Sequence, residues 1–272
     1  MKSSDNPYPS ILVVEGSAPA TPDTGQQRLY IDVADSHLKR KNDAGAVTDL
    51  EGAASPSFHG CRIRHSTTQT VANGATTSLL FNTEVYDTDA YHFTSAAALT
   101  GTVTKTAASA DIVGSGTLFT TELSVGQVIS IPGTATEIGV VSVITDNTNL
   151  TLYQTMANSA SGQTATRRNE FMSIPSGLGG YYAIFAAARW TTVTASKVNR
   201  MIPRVSGTII SVATVLTSPT TSTIQDIQVA EQFLLAEGDY LDIQFGNNES
   251  STITISQTSY ASPVFAIALI GV

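Results

Sequence analysis

Charge is what this sequence has least of. Asp, Glu, Lys and Arg make up 13% of its 272 residues, against about 25% in an ordinary globular domain. Thr, Ser, Ala and Gly take their place, so the surface is polar but weakly charged. The formal net charge is −8, which excludes the positive field that nucleic-acid phosphates require. The basic run Lys39-Arg40-Lys41 is interleaved with Asp35 and Asp43 and reads as a solvated cluster in a hairpin, not a phosphate site. Cys61 is the single cysteine, so no intrachain disulfide framework exists and stability must come from packing or assembly. The apolar runs around 178–188 and 263–272 are shorter than the roughly 20 residues of a membrane helix, so no membrane insertion is expected. The opening MKSSDNPYPSILVVEG carries too short an apolar run for a secretory signal. Synthesis in the cytoplasm without export is the expectation.

Catalytic signatures are missing as well. Gly114-Ser115-Gly116 is not a nucleophile elbow, and no phosphate loop or dinucleotide fingerprint occurs. His37, His59, His65 and His92 are scattered, with no HExxH or CxxC to organise zinc. The expectation is a non-enzymatic chain with no cofactor. Asp239 and Asp242, the nearest approach to a glycosidase carboxylate pair, sit at a Gly-Asp turn that reads as structural.

What the sequence does have is strand patterning. Residues 1 to 27 carry Pro7, Pro9, Pro19 and Pro22 and read as an extended arm. Residues 28 to 50 alternate apolar and polar around turn signals at Asp35-Ser36 and Asn42-Asp43-Ala44-Gly45, predicting a small hairpin or meander. Beyond residue 60, segments rich in Thr, Val and Ile with turns every 8 to 12 residues follow the rhythm of an all-β sandwich or barrel. No long amphipathic helix is predicted.

The segment NEFMSIPSGLGGYYAIFAAARW (169–190) decides the architecture. Pro175 and the glycines at 177, 179 and 180 break any helix there, each glycine costing roughly 1 kcal/mol. Beyond them, Tyr182, Ile184, Ala186, Ala188 and Trp190 share one strand face, and Tyr181, Ala183, Phe185, Ala187 and Arg189 the other. Both faces are largely apolar. A central strand is predicted, covered on both sides, with a neighbouring subunit as one cover.

FNTEVYDTDAYHF (81–93), FMSIPSGLGGYYAIFAAARW (171–190), LLAEGDYLDIQF (234–245) and VFAIALIGV (264–272) together resemble the globular head of the first complement component and the tumour necrosis factor superfamily. That resemblance implies a jelly-roll sandwich that assembles as a homotrimer. In the family the two halves of the pattern are nearly contiguous, whereas here residues 95–169 intervene. The expected organisation is therefore 1–60 as N-terminal arm and β-hairpin, 61–94 with 170–272 as a discontinuous jelly roll, and 95–169 as an inserted small β-barrel. The insert, with GSGTLFTTELSVGQVISIPG and EIGVVSVITDNTNLTLYQ, looks like modules of tailed-bacteriophage structural proteins, and the N-terminal hairpin resembles repeats that open phage fibre proteins. No Gly-X-Y tract or heptad shaft accompanies the head, so a fibre of this kind would be short.

The resemblance implies a homotrimeric spike, head fibre, decoration protein or tail fibre on a virion surface. Residues 1–60 would anchor it to other virion proteins, the insert would project as a lateral knob, and a host glycan or protein could be the receptor. Tyr181, Tyr182, Phe185, Tyr260 and Phe265 are the expected three-fold apolar core, with Arg189 in an intersubunit ion pair. The alternative is a secreted or surface bacterial binding module with the same head. Two metal candidates complete the reading: Glu84, Asp87 and Asp89 as oxygen ligands for calcium, and His59, Cys61 and His65 for a softer ion. Turn hydrogen bonds and a buried strand edge are the favoured readings of these two clusters.

Overall fold

The computed structural model describes residues 15–34, 38–49, 58–191, 197–216, 224–255 and 263–271. The chain forms two compact units, 1–57 and 58–272, and among the described residues it is almost entirely β. The first unit is a four-stranded sheet of β1 (Glu15–Gly16), β2 (Gln27–Asp32), β3 (Leu38–Asn42) and β4 (Val47–Asp49), in that order. The expected meander is present as β2, β3 and β4, and the arm adds a short strand, β1, parallel to β2. Asn42 closes the β3–β4 turn, its side chain accepting from the Ala46 N–H at 2.8 Å. The Asp35-Ser36 turn and His37 lie outside the described residues. The basic run is not simply solvated: Lys39 pairs with Asp32 at 2.9 Å, and Lys41 donates to the Pro19 carbonyl at 2.9 Å.

The second unit begins with β5 (Gly60–Arg64), β6 (Gln69–Val71), β7 (Thr76–Ser78) and β8 (Thr83–Asp87). The inserted segment holds β9 (Thr102–Lys105), β10 (Asp111–Ser115), the short helix α1 (Phe119–Glu122), β11 (Val128–Ile131), β12 (Glu137–Ile144), β13 (Asn149–Leu152), β14 (Ala160–Gln163) and β15 (Thr166–Arg167). There follow β16 (Met172–Ser173), β17 (Gly180–Thr191), β18 (Val198–Val205), β19 (Thr208–Ile209), β20 (Ala213–Leu216), β21 (Ile224–Leu235), β22 (Tyr240–Gly246), β23 (Ile253–Ile255) and β24 (Val264–Gly271). No helix among the described residues is long and apolar enough to cross a membrane.

Two sheets enclose the main core. One runs β21-β17-β24-β5-β8, with β23 pairing the end of β17 and β6 beyond it; the other centres on β22 and β18, flanked by β7 and β16 on one side and by β19 and β20 on the other. Consecutive long strands cross between the sheets, as β17 to β18, β20 to β21 and β21 to β22. The period-two alternation of β17 puts Tyr182, Ile184, Ala186, Ala188 and Trp190 inside. Trp190 meets Phe245 of the opposite sheet edge-on at 5.1 Å, and the hydroxyls of Tyr182 and Tyr91 lie 3.1 Å apart. Pro175, Gly177 and Gly179 precede β17, which begins at Gly180.

The inserted segment has its own core, built from residues such as Val103, Ile112, Phe119, Ile129, Val141 and Leu150. Its two ends run together: Leu99 N–H donates to the Ala165 carbonyl at 2.8 Å and Arg167 N–H to the Ala97 carbonyl at 2.9 Å. A segment whose ends meet can be spliced into a sheet protein without stretching its host. Its strands run β14-β9-β10-β13-β12-β11-β15. The edge strands β14 and β15 are consecutive, and Gln163 to Thr166 can span at most about 11 Å of chain. The sheet must therefore curl until its edges nearly meet.

The segment does not project freely, contrary to the knob expected of it. Val128 and Val140 form an apolar seam with Phe171 and Tyr240 of the sandwich. Gln154 Nε2 donates to the Gly238 carbonyl at 2.7 Å, and Ser173 Oγ to the Gly126 carbonyl at 2.6 Å. Gly238 is in the left-handed region at φ +77°, and a Cβ there would lie 2.2 Å from Tyr153 Cγ. Gly177 shares that conformation at φ +78° but faces open space. Gly177→Ala should therefore cost only the left-handed penalty, about 1 to 2 kcal/mol. Gly238→Ala must also displace Tyr153 from the seam, for a total of about 3 kcal/mol. Urea unfolding of the two variants measures the difference; equal losses would mean the seam carries no packing energy.

Candidate functional site

Half the side chains of a strand at the face of a sandwich must point away from its core, and they are normally polar. In β17 they are Tyr181, Ala183, Phe185, Ala187 and Arg189, so the sheet β21-β17-β24-β5-β8 carries an unusual outer face. Cross-strand register lays it out in rows. Tyr181 stands beside Leu234; Ala183 is flanked by Gln232 and Ala268; Phe185 by Ala230 and Ala266, with Arg62 and Tyr86 further along the row. Ala187 follows between Gln228 and Val264, and Arg189 faces Asp226.

The apolar end is open to solvent: Leu234 is 60% exposed, Tyr181 55% and Phe185 38%. Alanines form the middle, where a shallow 450 Å³ groove runs between Phe185 and the edge-packed pair Phe58 and Tyr86, whose rings are 5.6 Å apart. The far end is charged. Arg189 Nε and Nη2 donate to the two carboxylate oxygens of Asp226 at 2.5 and 2.8 Å, and this bidentate pairing holds the Asp226 carboxyl below its ordinary range. The carboxylate expected for Arg189 is therefore supplied by the neighbouring strand of the same chain, not by another subunit.

The face sorts the sequence-derived interface residues. Tyr181, Phe185 and Arg189 are on it. Tyr182 and Phe265 are not: both are 0% exposed in the chain's own core, because each is one residue out of phase with the outer face. Their assignment to a subunit interface is corrected accordingly. Tyr260 lies outside the described residues. Phe58, Tyr86 and Leu234 belong to the face and escaped the sequence reading, since Tyr86 and Leu234 reach it through strand pairing and Phe58 through its ring contact with Tyr86. In Leu234 a signal was present, an apolar residue at the end of a strand whose other outward positions, Asp226, Gln228, Ala230 and Gln232, are small or polar.

The carboxylates proposed for calcium are each engaged elsewhere. Asp87 accepts the N–H groups of Asp89, Tyr91 and His92 at 3.2, 3.0 and 2.9 Å and so builds the turn after β8. Glu84 meets His92 Nδ1 at 3.0 Å, and Asp89 meets His59 Nδ1 at 2.9 Å. No group of three His, Cys, Asp or Glu placed to hold a metal occurs among the described residues. Asp242, buried, takes Arg204 Nη2 at 2.6 Å and Ser78 Oγ at 2.7 Å, while Asp239 accepts Ser206 Oγ at 2.8 Å and the Ala236 N–H at 2.9 Å. Both are tied into turns and strands.

Cys61 and His65 do share the inner face of β5 and its continuation, with His59 drawn off to Asp89. Burial, reinforced by Asp87 and Glu84, pushes the Cys61 thiol up, which makes it inert. Neither ring nitrogen of His65 has a hydrogen-bond partner. No family of known proteins matches this sequence, and no curated protein does.

Burial lowers the His65 pKa from its ordinary 6.5. The folded chain keeps this ring neutral while the unfolded chain protonates it. Its contribution is therefore undiminished above about pH 6.5 and is lost as pH falls below that toward the folded value, by up to about 1.4 kcal/mol per pH unit. His65→Leu should abolish this component, so that melting temperatures at pH 7.5 and pH 5 differ less in the variant than in the parent. An unchanged difference would mean that His65 is not held neutral.

Proposed function

We propose that this chain is a non-enzymatic structural protein of a tailed-bacteriophage virion, a short homotrimeric surface spike or fibre. In this reading the sandwich is a jelly roll of the complement-head and tumour necrosis factor type, the inserted segment is a small β-barrel, and residues 1–60 bind other virion proteins. The observation that carries it is the outer face of the β21-β17-β24-β5-β8 sheet: aromatic and aliphatic at one end and alanine-floored in the middle, with Arg62 on the β5 side and the Arg189–Asp226 pair at the far end. Contiguous exposed apolar surface of this kind marks an interaction site. A three-fold arrangement closes on itself and removes each copy's apolar end from water, and depletion of charge with enrichment of aromatics is the composition of an interface core.

The strand order supports the jelly-roll part, since the chain passes repeatedly between the sheets as such folds require. The virion assignment rests on the resemblance of the insert and the N-terminal hairpin to phage modules. Head fibre, decoration protein and tail fibre with a receptor-binding role are the positions such a molecule would occupy. A docked insert suits a stiff projection, because an apolar seam prevents it from swinging.

Light scattering of the full chain at low micromolar concentration should give the mass of three chains. Phe185→Asp combined with Tyr181→Asp should give one chain with an unchanged circular-dichroism spectrum, since both side chains lie outside the monomer core. A monomeric parent would remove the spike reading and favour the complement-head-like binding module. Peptides of this chain in density-purified particles, detected by mass spectrometry, test the virion assignment, and their absence would overturn it.

A further inference from the structure

In a chain with few charges, one lysine is entirely enclosed. The Lys105 side chain is 0% exposed at the end of β9, inside the inserted segment. Its Nζ lies 2.5 Å from Glu137 Oε2, and the carbonyls of Ile131 and Ala135 stand at 3.3 and 3.4 Å. Gly133 makes the enclosure possible: a Cβ there would come within 3.1 Å of Lys105 Cε and 3.2 Å of Nζ. An ion pair of this kind is an expensive way to stabilise a small core, because an apolar pair of similar volume usually does as well or better.

The second oxygen of the same carboxylate points to a different use. Glu137 Oε1 accepts the N–H groups of Ala157 and Asn158 at 2.7 and 3.2 Å, and the Asn158 carboxamide Nδ2 at 3.4 Å. One carboxylate thus touches a desolvated amine with one oxygen and a carboxamide with the other. The backbone on both sides is held in place. Lys105 pairs with Ala160 of β14, two residues beyond Asn158. Ala108 N–H donates to the Met156 carbonyl at 2.7 Å, Met156 N–H to the Ser109 carbonyl at 2.8 Å, and Ala107 N–H to Ser159 Oγ at 2.9 Å.

We propose that Lys105 and Asn158 join through an intramolecular amide bond, with Glu137 as the proton carrier. Glu137 takes one proton from the Lys105 ammonium, leaving a neutral amine, the form in which a lysine is nucleophilic. Nζ attacks Asn158 Cγ, and a C–N bond forms as the carbonyl π pair moves to Oδ1. Glu137 delivers its proton to Nδ2, the intermediate collapses, and the Cγ–Nδ2 bond breaks. Nδ2 leaves as ammonia, the second proton shed by Nζ goes with it as ammonium, and Glu137 is again a carboxylate. No oxidant, metal or co-reactant is consumed. Burial keeps water from the amine, and a carboxylate shared by Lys105 and Asn158 supplies the proximity that makes a sluggish carboxamide react. The product clips β9 to the segment leading into β14, an edge strand whose pairing with β9 is irregular.

The test is the mass of the full chain under denaturing conditions, followed by a tryptic map. The expected result is a mass one ammonia below that of the sequence, with a branched peptide joining the Lys105 and Asn158 segments and no cleavage after Lys105. Asn158→Ala and Glu137→Gln should each have the full mass of their own sequence. Asn158→Asp should form the same bond with loss of water. A parent at full sequence mass would overturn the proposal and leave Lys105–Glu137 a buried ion pair only. Loss of ammonia without the branched peptide would overturn it equally, because succinimide formation at an asparagine has the same mass.

Discussion

The structure depends on the alternation of a single strand. Twelve residues of β17 run through the middle of the larger sheet, paired along one side with β21 and along the other with β24 and then β23. Inward positions carry the bulk that joins the two sheets, with Trp190 against Phe245 and Tyr182 against Tyr91. A shift of one residue would expose Trp190 and bury Arg189, so the register admits no slippage. The same alternation produces the outer face, since positions that cannot reach the core must go somewhere. Their being tyrosine, alanine and phenylalanine makes the sheet a surface in search of a cover.

The sparse charge has a corresponding logic. Several of the charged residues in the sandwich and insert are spent on internal connections: Arg204 with Asp242 across the smaller sheet, Lys105 with Glu137 inside the inserted segment, and Arg168 with Glu170 where that segment rejoins the sandwich. Removing one partner of a buried pair strands the other at about 3 to 5 kcal/mol, so such pairs act as registration points. Arg189–Asp226 is different in kind, half-exposed and bidentate, and it bounds the apolar face without crossing it. Outside these pairs Thr, Ser, Ala and Gly dominate, which leaves the surface polar but weakly charged.

Much of the architecture was legible before the structure. The turn chemistry of Asn42 to Gly45, the break at Pro175 and the following glycines, and the alternation of residues 181–190 were all readable from local pattern, and the β3–β4 turn and β17 follow them. The functional groups were less so. Tyr182 and Phe265 were indistinguishable from Tyr181 and Phe185 by residue type, and only their phase relative to the core separates them. Glu84, Asp87 and Asp89 look like oxygen ligands until His92, His59 and the turn amides claim them. The seam of Val128, Val140, Phe171 and Tyr240 joins segments far apart in the chain and has no local signature.

Sequence alone determined the strand-rich character of the chain and the two apolar faces of residues 181–190, because these depend on period, turn residues and composition, all local properties. Tertiary structure decided which of the two faces is covered, that the inserted segment is docked against the sandwich, and that Lys105 and Asn158 meet on one carboxylate, Glu137. Those outcomes are set by strand pairing and by which side chains meet across tens of residues. A linear pattern contains the candidates for such meetings, and only the folded chain selects among them.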